Sequence, residues 1–87
     1  MQKIIPSLKI YQNNEPSLEE AQKHVGGYVE GLELDNGDYM IFDEEGLLKN
    51  KTLNKEASEF VKMYGRHPHQ IVGEAILIKA HARKDWA

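Results

Sequence analysis

Tyr28-Val29-Glu30-Gly31-Leu32-Glu33-Leu34-Asp35-Asn36-Gly37-Asp38-Tyr39-Met40-Ile41-Phe42 reads as a β-hairpin. Two alternating runs flank Asn36-Gly37, and Asn-Gly suits the two central positions of a type I′ turn, which both need positive φ. A two-residue loop then sets the register. Leu34 faces Tyr39 and Leu32 faces Ile41 on one apolar face. Glu33 opposes Met40 and Gly31 opposes Phe42 on the other, so Gly31 leaves room for the Phe42 ring. The second face still carries Val29, Met40 and Phe42, so it too calls for partial cover.

Upstream, Ser17-Leu18-Glu19-Glu20 has the form of a capping box and opens a helix. Leu18, Ala21 and Val25 give it one apolar stripe, and Gly26-Gly27 ends it. Residues 3–11 alternate and read as a first strand, bent near Pro6-Ser7. Downstream, Asp43-Glu44-Glu45-Gly46 is a turn and Leu47-Leu48 begins a short strand. Asn54 caps a second helix over Lys55–Tyr64, with Ala57, Phe60, Val61 and Tyr64 on its apolar face. Ile71–Ala80 is apolar on both faces around Ile76–Ile78 and reads as a central strand, with a bulge or close approach at Gly73. The order is β, α, β-hairpin, α, β. The expected architecture is α+β, a mostly antiparallel sheet with both helices packed on one face.

At 87 residues the chain is one domain, with a core over about 3–80 and a basic, aromatic tail over 81–87. A domain of this size hides only about 60–65% of the surface its unfolded chain exposes. A ligand site is therefore expected in a surface groove or between subunits. No cysteine is present, which removes thiolate chemistry, disulfides and cysteine-based zinc sites. No apolar run approaches the roughly 20 residues of a membrane span, and the run before Pro6 is too short for a signal peptide. A soluble, cytosolic protein is expected, with no membrane partner.

The net charge of −3 argues against general nucleic-acid binding. It is unevenly spread. Residues 15–45 hold ten acids against Lys23 alone, whereas residues 46–87 hold eight Lys/Arg against four acids. Folding can mix these surfaces, or leave a two-faced molecule that associates with itself or with a basic partner.

Four blocks occur in order: Gly26-Gly27-Tyr28-Val29-Glu30, Asp43-Glu44-Glu45-Gly46, Leu53-Asn54-Lys55-Glu56-Ala57 and Ile71-Val72-Gly73-Glu74-Ala75. Together they resemble a family of small domains encoded by bacteriophages, prophages and plasmids and catalogued only as a domain of unknown function. The resemblance spans about Val25 to Lys79. It implies a mobile-element accessory protein in the cytoplasm of a bacterial host, and it supplies no activity and no catalytic residues.

The chemistry-bearing residues are few. His67-Pro68-His69 is an H-x-H pair, but zinc needs three or four ligands and no further one has motif spacing, so no metal is assigned. Glu30 falls across from Asp43 in the expected register, and with Glu44 and Glu45 could supply paired carboxylates for acid–base work. No serine has a nucleophile context. Gly26-Gly27 follows a helix, the wrong order for a phosphate loop, so no cofactor is implied. Lys79, His81, Arg83 and Lys84 with Trp86 could hold a phosphate or stack on a base, and a terminal indole suggests a docked tail.

The expectation is a non-enzymatic binding protein, either an interaction module that inhibits a host protein or a homo-oligomer. The acidic segment with Glu44 and Glu45 is the expected contact surface. The alternative is a homo-oligomeric sponge for a small host metabolite or signalling nucleotide, drawing on Arg66, Arg83, Lys84 and either Tyr28 or Trp86. A small enzyme using Glu30 or Glu45 stands third.

Overall fold

The computed structural model describes residues 5–65 and 70–86. The elements are β1 (Leu8–Tyr11), α1 (Leu18–Val25), β2 (Val29–Glu33), β3 (Tyr39–Asp43), α2 (Lys55–Tyr64) and β4 (Ala75–Ile78), followed by a single 3₁₀ turn over Ala80–Ala82. The expected order and the α+β class both hold.

The four strands form one sheet in the order β1-β4-β3-β2. β2–β3 and β3–β4 are antiparallel, while β1 joins β4 in parallel, so the sheet is mixed. β4 lies between β1 and β3, and all of its residues are buried.

The expectation that both helices share one face is corrected. Ala21 and Val25 of α1 pack with Ile41, Ile76 and Ile78. Ala57 and Val61 of α2 pack with Met40, Ala75 and Leu77. Neighbours in a strand point to opposite faces, so Met40 and Ile41 belong to different layers, as do Ile76 and Leu77. The sheet is therefore sandwiched between the helices. The physical reason is that β3 and β4 are apolar on both sides, and each side must be covered.

Both predicted helix starts are present. The Ser17 hydroxyl accepts the Glu20 amide at 3.1 Å, and the Glu20 carboxylate accepts the Ser17 amide at 3.0 Å. Asn54 Oδ1 accepts the Ala57 amide at 3.0 Å. The stripe of α1 is narrower than expected, because Leu18 is 55% exposed. Gly26, at φ 90°, ends that helix in the left-handed region.

The hairpin differs from its expected form by one residue. Glu33 opposes Tyr39, Leu32 opposes Met40, Gly31 opposes Ile41 and Glu30 opposes Phe42. The Leu34 amide donates to the Asp38 carbonyl and the Gly37 amide to the Leu34 carbonyl, each at 2.9 Å, which closes a three-residue loop over Asp35–Gly37. Gly37 takes φ 92° while Asn36 stays in the ordinary negative region. This is the bulged hairpin with glycine in the left-handed position, not type I′.

Tertiary contacts favour the longer loop. The Asp35 amide donates to the Tyr64 carbonyl at the end of α2, at 2.6 Å. Asp38 is buried and accepts from Lys79 Nζ at 2.7 Å and from the Ala80 amide at 2.8 Å. The shift also changes what Gly31 is for. A Cβ there would collide with the Tyr39 ring and hydroxyl, so the glycine makes room for Tyr39, not Phe42.

No helix among the described residues is long and apolar enough to cross a membrane.

Candidate functional site

Three segments far apart in the chain, Gly26-Gly27, Asp43–Gly46 and Val72-Gly73, meet around the end of β3. Asp43 closes that strand with its side chain buried. Its Oδ1 accepts the Glu45 amide at 2.8 Å, which starts the turn. Its Oδ2 takes Lys49 Nζ at 3.1 Å and Lys51 Nζ at 2.5 Å. Lys51 Nζ also donates to the Val25 carbonyl at 2.9 Å, satisfying the end of α1 where cations are favoured. Burial pushes the Asp43 carboxyl up, but hydrogen bonds from Lys51, the Glu45 amide and Lys49 outweigh it and hold the group below its ordinary value.

The glycines of the blocks clear the space for this arrangement. A Cβ on Gly27 would lie 2.6 Å from Lys49 Nζ, one on Gly46 2.7 Å from the Val72 side chain, and one on Gly73 2.7 Å from the Lys51 stem. One ion cluster thus ties together Gly26-Gly27, Asp43–Gly46 and Val72-Gly73.

A family described as Domain of unknown function (DUF3846) matches residues 3–87. The chain belongs to that family. No curated protein and no solved structure matches it. In this DUF3846 chain the ion cluster joins segments whose spacing in the sequence carries no helix or strand period. That is why sequence reasoning missed Lys49 and Lys51.

The cluster roots a protruding turn segment. The Lys49 amide donates to the Glu45 carbonyl at 3.0 Å, the Asn50 amide to Leu47 at 3.2 Å and the Lys51 amide to Gly46 at 3.1 Å. The expected strand at Leu47-Leu48 does not form. These residues sit instead in the turn segment, 73% and 83% exposed. Glu44 and Glu45 flank them and are exposed. The Glu44 amide donates to the Tyr28 carbonyl at 3.0 Å. Tyr28, Glu45 and Lys49, with Gln22 and Gly27, line an open depression of about 310 Å³. The structure therefore brings Tyr28, Glu44 and Glu45 together.

Glu30 does not join them. Asp43 opposes Val29, and Glu30 opposes Phe42. Glu30 and Asp43 therefore project from opposite faces, and the expected cross-strand acid pair is absent.

The tail residues form a second group. The Arg83 guanidinium sits 4.9 Å from the Tyr39 ring centroid and donates to the Gly37 carbonyl at 2.8 Å and to Glu33 at 3.1 Å. Trp86 packs on Tyr39 with centroids 6.3 Å apart, and its indole N–H donates to the Pro16 carbonyl at 2.7 Å. The amides of Lys84, Asp85 and Trp86 point to the Glu15 carboxylate at 2.6, 2.8 and 3.4 Å. This group lies against the residues that open α1, whereas Tyr28 follows the helix end. Eight helical residues separate the two by about 12 Å. Arg83, Lys84 and Trp86 are thus not assembled with Tyr28 within one chain.

Arg66, His67 and His69 lie outside the described residues. Among the described residues, no group of three His, Asp or Glu side chains is placed to hold a metal ion. Three of the ten acids of residues 15–45 are paired across the fold. Asp38 pairs with Lys79, Asp43 with Lys49 and Lys51, and Glu33 with Arg83, so bases from the second half of the chain neutralise acids from the first.

Proposed function

We propose that this DUF3846 protein acts by binding another protein, and that the contact surface is the turn segment over residues 44–50. The observation that carries this reading is the pair Leu47 and Leu48, both more than 70% exposed on a segment whose base is fixed by a buried carboxylate. Burying a leucine on association contributes about 1.5–3 kcal/mol. Holding the turn in place beforehand reduces the ordering cost of binding. Glu44, Glu45 and Tyr28 supply a polar and aromatic rim, which favours a partner with basic and apolar character.

The resemblance of the blocks to phage, prophage and plasmid domains supports a host bacterial protein as that partner, with the chain as an accessory inhibitor in the host cytoplasm. The test is affinity capture from a bacterial lysate with three baits: the wild type, Leu47→Ser/Leu48→Ser, and Glu44→Lys/Glu45→Lys. The reading expects one host protein to be enriched by the wild type, lost from the leucine variant and reduced with the charge-reversed one. Equal capture by all three would remove the segment as the contact surface.

A further inference from the structure

Most of the polar contacts that hold residues 84–86 go to two neighbours, Glu15 and Pro16, and the two others are long ones from the Arg83 guanidinium to the Trp86 carbonyl, each at 3.4 Å. One carboxylate faces three consecutive backbone amides, and one carbonyl takes the indole N–H. Lys84 and Asp85 are exposed. Trp86 alone inserts, onto the Tyr39 ring. Beneath that ring lies Gly31, which has no side chain, in the edge strand β2. Arg83, one residue earlier, has its own short anchors on Gly37 and Glu33, at 2.8 and 3.1 Å, and reaches Trp86 only through the two long contacts. The attachment is therefore segmented, with a fixed point at Arg83 and then three residues held chiefly through Glu15-Pro16.

We propose that residues 84–86 are a releasable strap latched by Glu15, and that its release uncovers the part of the Tyr39 ring that Trp86 covers, beside edge strand β2, while Arg83 stays on that ring. A single carboxylate serving successive amides makes the three residues let go together, because losing it leaves all three donors to water at once. Local opening of such a segment requires no disruption of either core layer, since Trp86 is only half-buried at the margin of the α1 side. What becomes accessible is an aromatic ring next to a strand edge. This device is separate from the turn segment proposed above and stands without it.

Trp86 is the chain's only tryptophan, so its fluorescence reports the strap directly. In the full chain at neutral pH, Glu15→Ala is expected to red-shift the emission and raise the acrylamide quenching constant about two-fold or more, with the far-UV circular dichroism unchanged. Emission and quenching identical to the wild type would overturn the latch. Hydrogen exchange on the wild-type protein gives a readout that needs no variant. The amides of residues 84–86 are expected to exchange at least about ten-fold faster than those of β4. Equal protection in the two segments would show that the strap opens only when the whole domain unfolds, and would overturn the proposal.

Discussion

The Asn54 side chain donates its Nδ2 to the carbonyl of Gly73 at 2.9 Å, across nineteen positions of sequence. The same nitrogen donates to the Ser7 carbonyl at 3.0 Å, while Oδ1 caps α2 through the Ala57 amide. Asn54 is fully buried, so one amide satisfies the segment before β1, the approach to β4 and the start of α2. Asn54→Ala removes the cap and leaves two carbonyls with a lost donor. It is expected to cost about 2–4 kcal/mol, read as a lower midpoint in urea with an unchanged slope. Asn54→Asp keeps the cap acceptor but loses both donations, and should be at least as damaging. A cost below about 1 kcal/mol for the alanine variant would show that water replaces the amide readily.

The register of the hairpin predicts which residue Gly31 is coupled to. Gly31→Ala forces the Tyr39 ring to move against Arg83 and Trp86, and overpacking of this kind costs about 1–3 kcal/mol. Pairing the change with Tyr39→Leu should recover part of that loss, whereas pairing it with Phe42→Leu should be additive. Coupling to Phe42 in the double-mutant cycle would restore the two-residue turn.

Asp43 sets a pH dependence. Its folded-state carboxyl lies below the ordinary value of 3.8, so it contributes stability above that value, and the contribution is lost as pH falls through the folded pKa. Glu15 acts in the same sense. Burial raises its carboxyl, but hydrogen bonds from the amides of Lys84, Asp85 and Trp86 hold it below 4.5. Acid titration of the melting temperature should therefore fall less steeply below about pH 4 in Asp43→Asn than in the wild type. At neutral pH that variant is expected to lose about 2 kcal/mol, less than for a fully buried pair because both ammonium groups reach solvent. Parallel acid profiles would show that Asp43 gains nothing from its lysines.

The exposed leucines predict a separation of stability from binding. Leu47→Ser/Leu48→Ser should leave the unfolding free energy from urea titration within about 0.5 kcal/mol of the wild type, as for ordinary surface positions. Its solubility should rise and its capture of a partner should fall. A large loss of stability would mean that the pair packs within the fold.

Much of the framework was legible because its signals are local. Ser17 with Glu20, Asn54 before Lys55, and the helical spacing of Ala57 and Val61 each act within one turn, so short windows of sequence suffice. β4 announced itself through Ile76-Leu77-Ile78, and the docked tail through Trp86. Tyr28, Glu44 and Glu45 did come together, since the hairpin returns Asp43 to the chain beside Val29. Glu30 did not, because a one-residue change of register moves a side chain to the other face.

The chain's local pattern determined its element order, its caps, its α+β class and the need to bury a central apolar strand. Tertiary structure alone decided the loop length at Asp35–Gly37, the placement of the helices on opposite faces, the Asp43–Lys51 root of the turn segment and the Glu15 latch. Each of these depends on partners many residues away: Tyr64 and Lys79 for the hairpin, Val25 for Lys51, and the amides of residues 84–86 for Glu15. Local propensities differ by a kilocalorie or less between competing turns, so a single buried carboxylate or carbonyl finding its distant donor is enough to choose among them.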